Sequence, residues 1–266
     1  VLIGEISFSL NQIIADWCQR YAVWHAIPIN HAYPNGVYTF PMAVPATCIG
    51  ENTAYAVRTH LPGRRGILLV EAEDPVSGGY AEGFLRQLYV PTVRVPGTIS
   101  AFLKRWTTLR DSLMGYDWYG LVISNEEVVG FLLTRLGRDE EPLPTIIGME
   151  SWLRFQRVEL KDFRRLVLWI PQTYLPDSIQ WQALHSYTRE LIGTPPTAYQ
   201  VQGYDVLRAI AHFSAQYSLG QVPAASEPWG GVMNIYQVRP DCKAYRWCLW
   251  EYRKGLVAKL SASDGP

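Results

Sequence analysis

The sequence carries no surplus of charge of either sign: 24 basic and 24 acidic residues cancel in a chain of 266. That balance excludes the electrostatic footprint by which a domain holds nucleic acid. The pairs Arg64-Arg65 and Arg164-Arg165 are too short to supply one and read as solvated faces. No apolar run approaches the roughly 20 residues of a membrane helix. A basic start followed by an apolar stretch and a small-residue cleavage site is also missing. Cysteine is scarce, and Cys18, Cys48, Cys242 and Cys248 never fall at the C-x-x-C spacing of a zinc ribbon or a redox motif. Cys242 and Cys248 flank a short segment that suits a bridge in an oxidising compartment; four buried thiols are the equal alternative.

Catalytic signatures are missing too. There is no G-x-x-x-x-G-K-S/T phosphate loop, no G-x-G-x-x-G, no H-E-x-x-H and no G-x-S-x-G. The five histidines show no metal-ligand spacing, and His25 and His31 read as surface or hydrogen-bonded side chains. Glu71, Glu73 and Asp74 form one acidic cluster, which suits a cation or a pair of working carboxylates. Its simpler reading is a solvated corner whose charges favour the helix N-terminus that follows. The expectation is a protein without catalytic residues, metal or cofactor.

What is present is the makings of a folded core. Hydrophobic residues reach 48% and charged residues only 18%, enough for one large domain or two smaller lobes. Ten Trp and sixteen Tyr suit clefts and interfaces, where a flat apolar body carries a polar tip. Strand and helix signals alternate along the chain. After "VLIG", the residues Leu10, Ile13, Ile14, Trp17 and Tyr21 mark one helical face, and Ser9 with Gln12 has capping-box spacing. The piece Ala26–Ile29 reads as extended, and Thr53–His60 as a helix closed by "PGRRG". "ILLV" and "WYGLV" are continuous apolar runs of the kind buried on both faces of a parallel sheet. Helical stripes at Phe84–Leu88, Ile99–Leu113 and Val128–Leu136 lie between strands, and "TVRV", "PTII" and "LVLWIP" complete the strand set. Two helices, carrying Ile179–Leu191 and Tyr204–Tyr217, precede the linker-like "GQVPAASEPWGG". The tail reads as an antiparallel hairpin turning at Pro240-Asp241. Repeated β-α units of this sort define an α/β fold with mainly parallel sheets, which binds ligands outside the carboxyl ends of its strands.

Four strand-to-helix corners carry a resemblance: "LIGEISFS", "AIPINHAYP", "EDPVSGGYAEGF" and "IIGMES". With the helix "GYDVLRAIAHF" and the closing "RKG", their order resembles the type I periplasmic solute-binding proteins of ABC transporters. The branched-chain amino acid, amide and urea binders are the subgroup they look like. The resemblance implies a two-lobed α/β fold with mainly parallel sheets flanked by helices and a C-terminal antiparallel hairpin. Lobe one would be residues 1–61 plus 173–227, and lobe two residues 62–172 plus 228–266. It implies a small polar solute such as an amino acid, amide or urea, and partners among membrane transporter subunits. A periplasmic or extracellular location follows from it, with a cytoplasmic amide sensor as a further possibility of the same fold.

The ligand residues implied are Ser7 and Ser9 at the first helix start, and Ala32 and Tyr33 in the second corner. The second lobe would add Tyr80, Ser124, Asn125 and Glu150, the last pairing with an ammonium, since a buried ammonium must be paired. A helix N-terminus with serine hydroxyls suits a carboxylate or amide oxygen. Tyr33 stands where the family tends to have a hydroxyl, and Phe8 interrupts the serine run; either bulky ring shrinks a carboxylate pocket. The resemblance also implies about two β-α units ahead of Val1–Ile3, and this sequence does not include them. A strand left with an open edge and an uncovered face suits a second expectation: a structural or interaction subunit of a larger assembly, without ligand binding.

Overall fold

The computed structural model describes residues 2–3, 8–27, 38–41, 43–113, 115–139, 144–158, 166–173, 179–216, 229–230, 235–236, 247–253 and 256–263. In chain order the elements are β1 (Leu2–Ile3), α1 (Phe8–Tyr21), β2 (His25–Ile27), β3 (Thr39–Pro41), α2 (Ala46–His60), β4 (Gly66–Glu71), α3 (Pro75–Gln87), β5 (Thr92–Val95), α4 (Ile99–Leu113) and β6 (Trp118–Val122). There follow α5 (Glu126–Asp139), β7 (Thr145–Ile147), a 3₁₀ turn at Glu150–Arg154, β8 (Val167–Gln172), α6 (Ile179–Ile192), α7 (Ala198–Gln216), β9 (Trp229–Gly230), β10 (Ile235–Tyr236), β11 (Trp247–Arg253) and β12 (Leu256–Ser263). The architecture is α/β with a mostly parallel sheet flanked by helices.

The chain divides into two compact units, residues 1–45, 173–247 and 263–266 in the first, and 46–172 and 248–262 in the second. The second unit takes in α2, which the resemblance implies for lobe one. The reason is a close backbone seam between α2 and α3. A Cβ on Gly50 would lie 2.0 Å from the Tyr80 carbonyl oxygen, and one on Gly83 would lie 1.9 Å from that of Thr47. Only glycine at both positions lets the two helices approach this far.

A seven-stranded sheet in the order β12-β11-β8-β7-β6-β4-β5 forms the core of the second unit. Strands β5, β4, β6, β7 and β8 run parallel, and β11 is antiparallel to β8, with Trp250 opposite Ile170. Every residue of β4 and of β6 is buried, as their unbroken apolar runs require in a sheet covered on both faces. Between α4 and α5 the rings of Phe102, Trp106 and Phe131 interlock, Trp106 meeting Phe131 edge-on at 5.1 Å. The hairpin expected across Pro240-Asp241 turns outside the described residues. Among those described, β10 pairs antiparallel with β9, while β11 lies between β8 and β12.

In the first unit β1, β2 and β3 form a parallel sheet in that order. Helix α1 begins at Phe8, so Ser9 sits inside its first turn rather than at the cap. Of the five residues that mark one face of α1, Leu10, Ile13, Trp17 and Tyr21 are exposed and Ile14 is half-buried, while the buried positions are Asn11, Ala15 and Cys18. Helix α6 similarly exposes Ile179, Tyr187 and Leu191, and α7 exposes Tyr204 and Leu207 while burying Val201, Asp205 and Ala209. His25 is fully buried in β2, and neither ring nitrogen has a hydrogen-bond partner among the described residues, contrary to the expected surface or hydrogen-bonded histidine. Cys18 and Cys48 are buried and in no disulfide; Cys242 lies outside the described residues.

Candidate functional site

The carboxyl-terminal edge of the second unit's sheet is built by three neighbouring strands. Register places Val70 of β4 opposite Val122 of β6, and Gly120 of β6 opposite Ile147 of β7. The segments leaving these strands, Glu71–Asp74, Ser124–Asn125 and Gly148–Glu150, therefore emerge side by side, about 4.8 Å apart per strand.

Glu71 closes β4 and is only 9% exposed. One of its carboxylate oxygens accepts two hydrogen bonds from Ser124, from the backbone N–H and from the hydroxyl, both at 2.7 Å. Its other oxygen lies against Gly97, where an added Cβ would come within 2.5 Å. A buried carboxylate held in this way is a fixed negative charge, and charge-assisted bonds of this kind are the strong ones. Asn125 caps α5, its side-chain oxygen accepting from the Val128 N–H at 3.1 Å, and Glu126 and Glu127 add the first-turn acids that the helix dipole favours.

Asp74 caps α3 in the same manner, accepting from the Val76 and Ser77 amides at 3.4 and 2.9 Å and from the Ser77 hydroxyl at 2.6 Å. Glu73 occupies the left-handed region with φ of 68°, which bends the chain sharply from β4 into that cap. The acidic cluster thus splits by role: Glu71 orients Ser124, and Asp74 starts a helix. No group of acids, histidines and cysteines suited to a metal ion occurs among the described residues.

Glu150 opens the 3₁₀ turn and is half-buried. The turn is anchored by Trp152, whose indole N–H donates to the Ile123 carbonyl at 2.8 Å and whose ring fills the space a Cβ on Gly148 would take. Ser124, Asn125 and Glu150 thus share one sheet edge. Tyr80 is placed otherwise. It lies within α3 at 2% exposure, stacked on Phe84 at 6.4 Å, and its hydroxyl lacks a hydrogen bond of good geometry among the described residues. Burial pushes that phenol far above its usual range, offset only weakly by the Thr53 hydroxyl, itself donated to the Ile49 carbonyl at 2.7 Å. In the first unit Ser9 is exposed on α1; Ser7, Ala32 and Tyr33 lie outside the described residues.

Sequence reasoning did not single out Glu71 as a partner of Ser124. The signal was there: an acid placed directly at the end of an apolar strand cannot stay buried unpaired.

No family profile and no curated protein matches the sequence. Solved structures do match the fold. A substrate-binding protein of an ABC transporter from Desulfitobacterium hafniense, in complex with leucine, superposes with a TM-score of 0.67 at 16% identity, covering 97% of this chain and 79% of its own. A leucine-binding protein from Thermotoga maritima gives 0.67 at 15% identity, covering 98% and 79%. A transporter solute-binding protein from Rhodopseudomonas palustris, in complex with p-hydroxybenzoic acid, gives 0.72 at 13% identity, covering 100% and 78%. At these identities the likeness is one of fold, and the fold is that of the type I periplasmic binding proteins, as the corner motifs led one to expect.

Proposed function

We propose that this protein is a solute-binding component serving an ABC transporter or a sensor, and that it takes its solute at the carboxyl-terminal edge of the seven-stranded sheet. The observation that carries the reading is the Glu71 carboxylate pinned by Ser124, beside Asn125 and Glu150, on the sheet edge where open α/β folds bind ligands. The edge offers carboxylates, the lone pairs of the Ser124 hydroxyl oxygen and the Asn125 side-chain NH2, whose partner oxygen caps α5; together these suit a solute with an ammonium or amide group. Proteins of the same fold that bind leucine or p-hydroxybenzoic acid support a small organic solute. In this reading the protein acts outside the cytoplasm, binds without chemistry, and needs no cofactor. Tyr80 serves as packing beneath the edge, and the roles of Ser7, Ser9, Ala32 and Tyr33 remain those the resemblance implies.

A thermal-shift panel of amino acids, amides, urea and aromatic carboxylates tests it. A ligand at one hundred times its Kd stabilises by about 2.7 kcal/mol, a readily visible shift. At least one class should respond, and the response should shrink in Glu150→Gln. A flat response to every compound would sink the proposal.

A second reading, an interaction subunit within a larger assembly, is favoured by one observation: the exposed row Leu10, Ile13, Trp17 and Tyr21 along α1. It expects the purified chain to self-associate. Light scattering that returns a single monomeric species would count against it.

A further inference from the structure

The opposite, amino-terminal edge of the second unit's sheet holds a cavity of about 510 Å³, set among the starts of β4, β5 and β6. Along β4 the lining residue Gly66 is five residues from Glu71, roughly 17 Å at the usual rise, so the cavity is distinct from the edge described above. Its walls include Arg58, Arg64, Arg65, Tyr89, Tyr116 and Trp118, and no acid lines it among the described residues.

Three groups on this wall have donors left over. Arg64 meets Asp117 at 3.4 Å, and the second oxygen of Asp117 accepts the backbone N–H of Arg65 at 2.8 Å. That uses the nearby acid. Arg58 and Arg65 find only aromatic faces, Tyr55 and Tyr116, each 5.5 Å from the ring centre, and neither has a carboxylate partner among the described residues. The third group is Trp118. Its indole is 1% exposed, lies on the backbone of Gly66 so closely that a Cβ there would fall 1.8 Å from the ring, and its N–H has no acceptor among the described residues. A buried tryptophan N–H without an acceptor is uncommon, since such donors usually find one.

The wall thus combines cationic donors, an unmet indole N–H and the flat faces of Tyr89 and Tyr116, and the nearby acid, Asp117, is already taken up by Arg64 and the Arg65 backbone N–H. Guanidinium pairs match phosphate oxygens in charge and geometry, while aromatic rings take a planar body. We infer that this cavity is a second ligand site, for a flat organic phosphate. The phosphate lies against Arg58 and Arg65 and the planar part against the tyrosines, and a small shift of the exposed lining side chains brings an acceptor to the Trp118 N–H.

The inference does not depend on the solute reading, because it uses none of the same residues. The test is calorimetric titration of the full chain with naphthyl phosphate, with naphthylmethanol and inorganic phosphate as comparisons. Arg58→Gln and Arg65→Gln lie on the exposed rim, so the double variant is expected to keep the wild-type melting curve. Expected are one saturable site for naphthyl phosphate and binding weaker by an order of magnitude or more in the double variant. Naphthylmethanol and inorganic phosphate should each bind more weakly. By NMR, the indole N–H resonance that disappears in Trp118→Phe should move on titration. Absence of saturable binding, equal affinity in the double variant, equal affinity for naphthylmethanol, or a stationary Trp118 resonance would each overturn the assignment.

Discussion

Ser124 spends both its backbone N–H and its hydroxyl on a single oxygen of Glu71, each bond 2.7 Å long, and so ties the end of β6 to the end of β4. The two bonds differ in what replaces them when lost. Ser124 is exposed, so in Ser124→Ala water takes over the hydroxyl's place, and the cost should be about 1 kcal/mol. Glu71→Leu leaves the backbone N–H without its acceptor beside a nearly buried site and should cost about 2 kcal/mol. Because the two residues share one contact, the pair of changes should fall short of additivity by about 1 kcal/mol in urea unfolding. Strict additivity would mean that the contact contributes nothing.

The seam between α2 and α3 gives a sharper case. At Gly83 an added methyl would stand 1.9 Å from the Thr47 carbonyl oxygen, and at Gly50 it would stand 2.0 Å from that of Tyr80. Both obstacles are backbone, which cannot rotate away. Gly83→Ala and Gly50→Ala should therefore destabilise, by about 1–3 kcal/mol each, although alanine is ordinarily the better helix former. Gly78 lies on the same helix with open space around it, and Gly78→Ala should be neutral or stabilising. Denaturation midpoints for the three variants decide the matter; a destabilised Gly78→Ala alongside unaffected Gly50 and Gly83 variants would refute the packing account.

The parallel core was legible because its strands announce themselves. "ILLV" and "WYGLV" have no polar residue to leave a face exposed, and each became a fully buried strand. The corners after them were legible only as corners: the acids were expected to be solvated and to favour the helix dipole, whereas Asp74 and Asn125 cap their helices through side-chain oxygens and Glu71 is nearly buried. The faces of helices in the first unit were not legible. In α1 two stripes coexist at helical spacing, the large Leu10, Ile13, Trp17, Tyr21 and the small Asn11, Ala15, Cys18; periodicity names both without choosing between them. The structure buries the small one, where little room is needed. The α2 start was missed for a related reason. The helix begins at Ala46, seven residues ahead of the expected Thr53, and Gly50 inside that added stretch is what close packing against α3 demands.

The buried thiols give a prediction about reactivity. Cys18 and Cys48 are inaccessible, and burial raises the Cys18 thiol above its ordinary range, which lowers the thiolate fraction as well. In a variant with Cys242→Ser and Cys248→Ser, a thiol reagent should leave the native chain nearly unlabelled and titrate two thiols in denaturant. Fast labelling of the native variant would show that α1 or α2 opens readily.

His25 makes stability depend on pH in a known direction. Its ring is buried without a hydrogen-bond partner among the described residues, and burial holds its pKa below the ordinary 6.5. The unfolded chain therefore binds a proton at a higher pH than the folded chain does. Stability should be full above about pH 6.5 and should fall as acid protonates first the unfolded state and then the buried ring. Melting followed from about pH 7.5 to about pH 5.5 should show this loss, and His25→Leu should remove the part of the slope that His25 supplies. Aligned curves for wild type and His25→Leu across that interval would mean that the imidazole finds a partner or water in solution, and that the buried, neutral ring is not the state that folds.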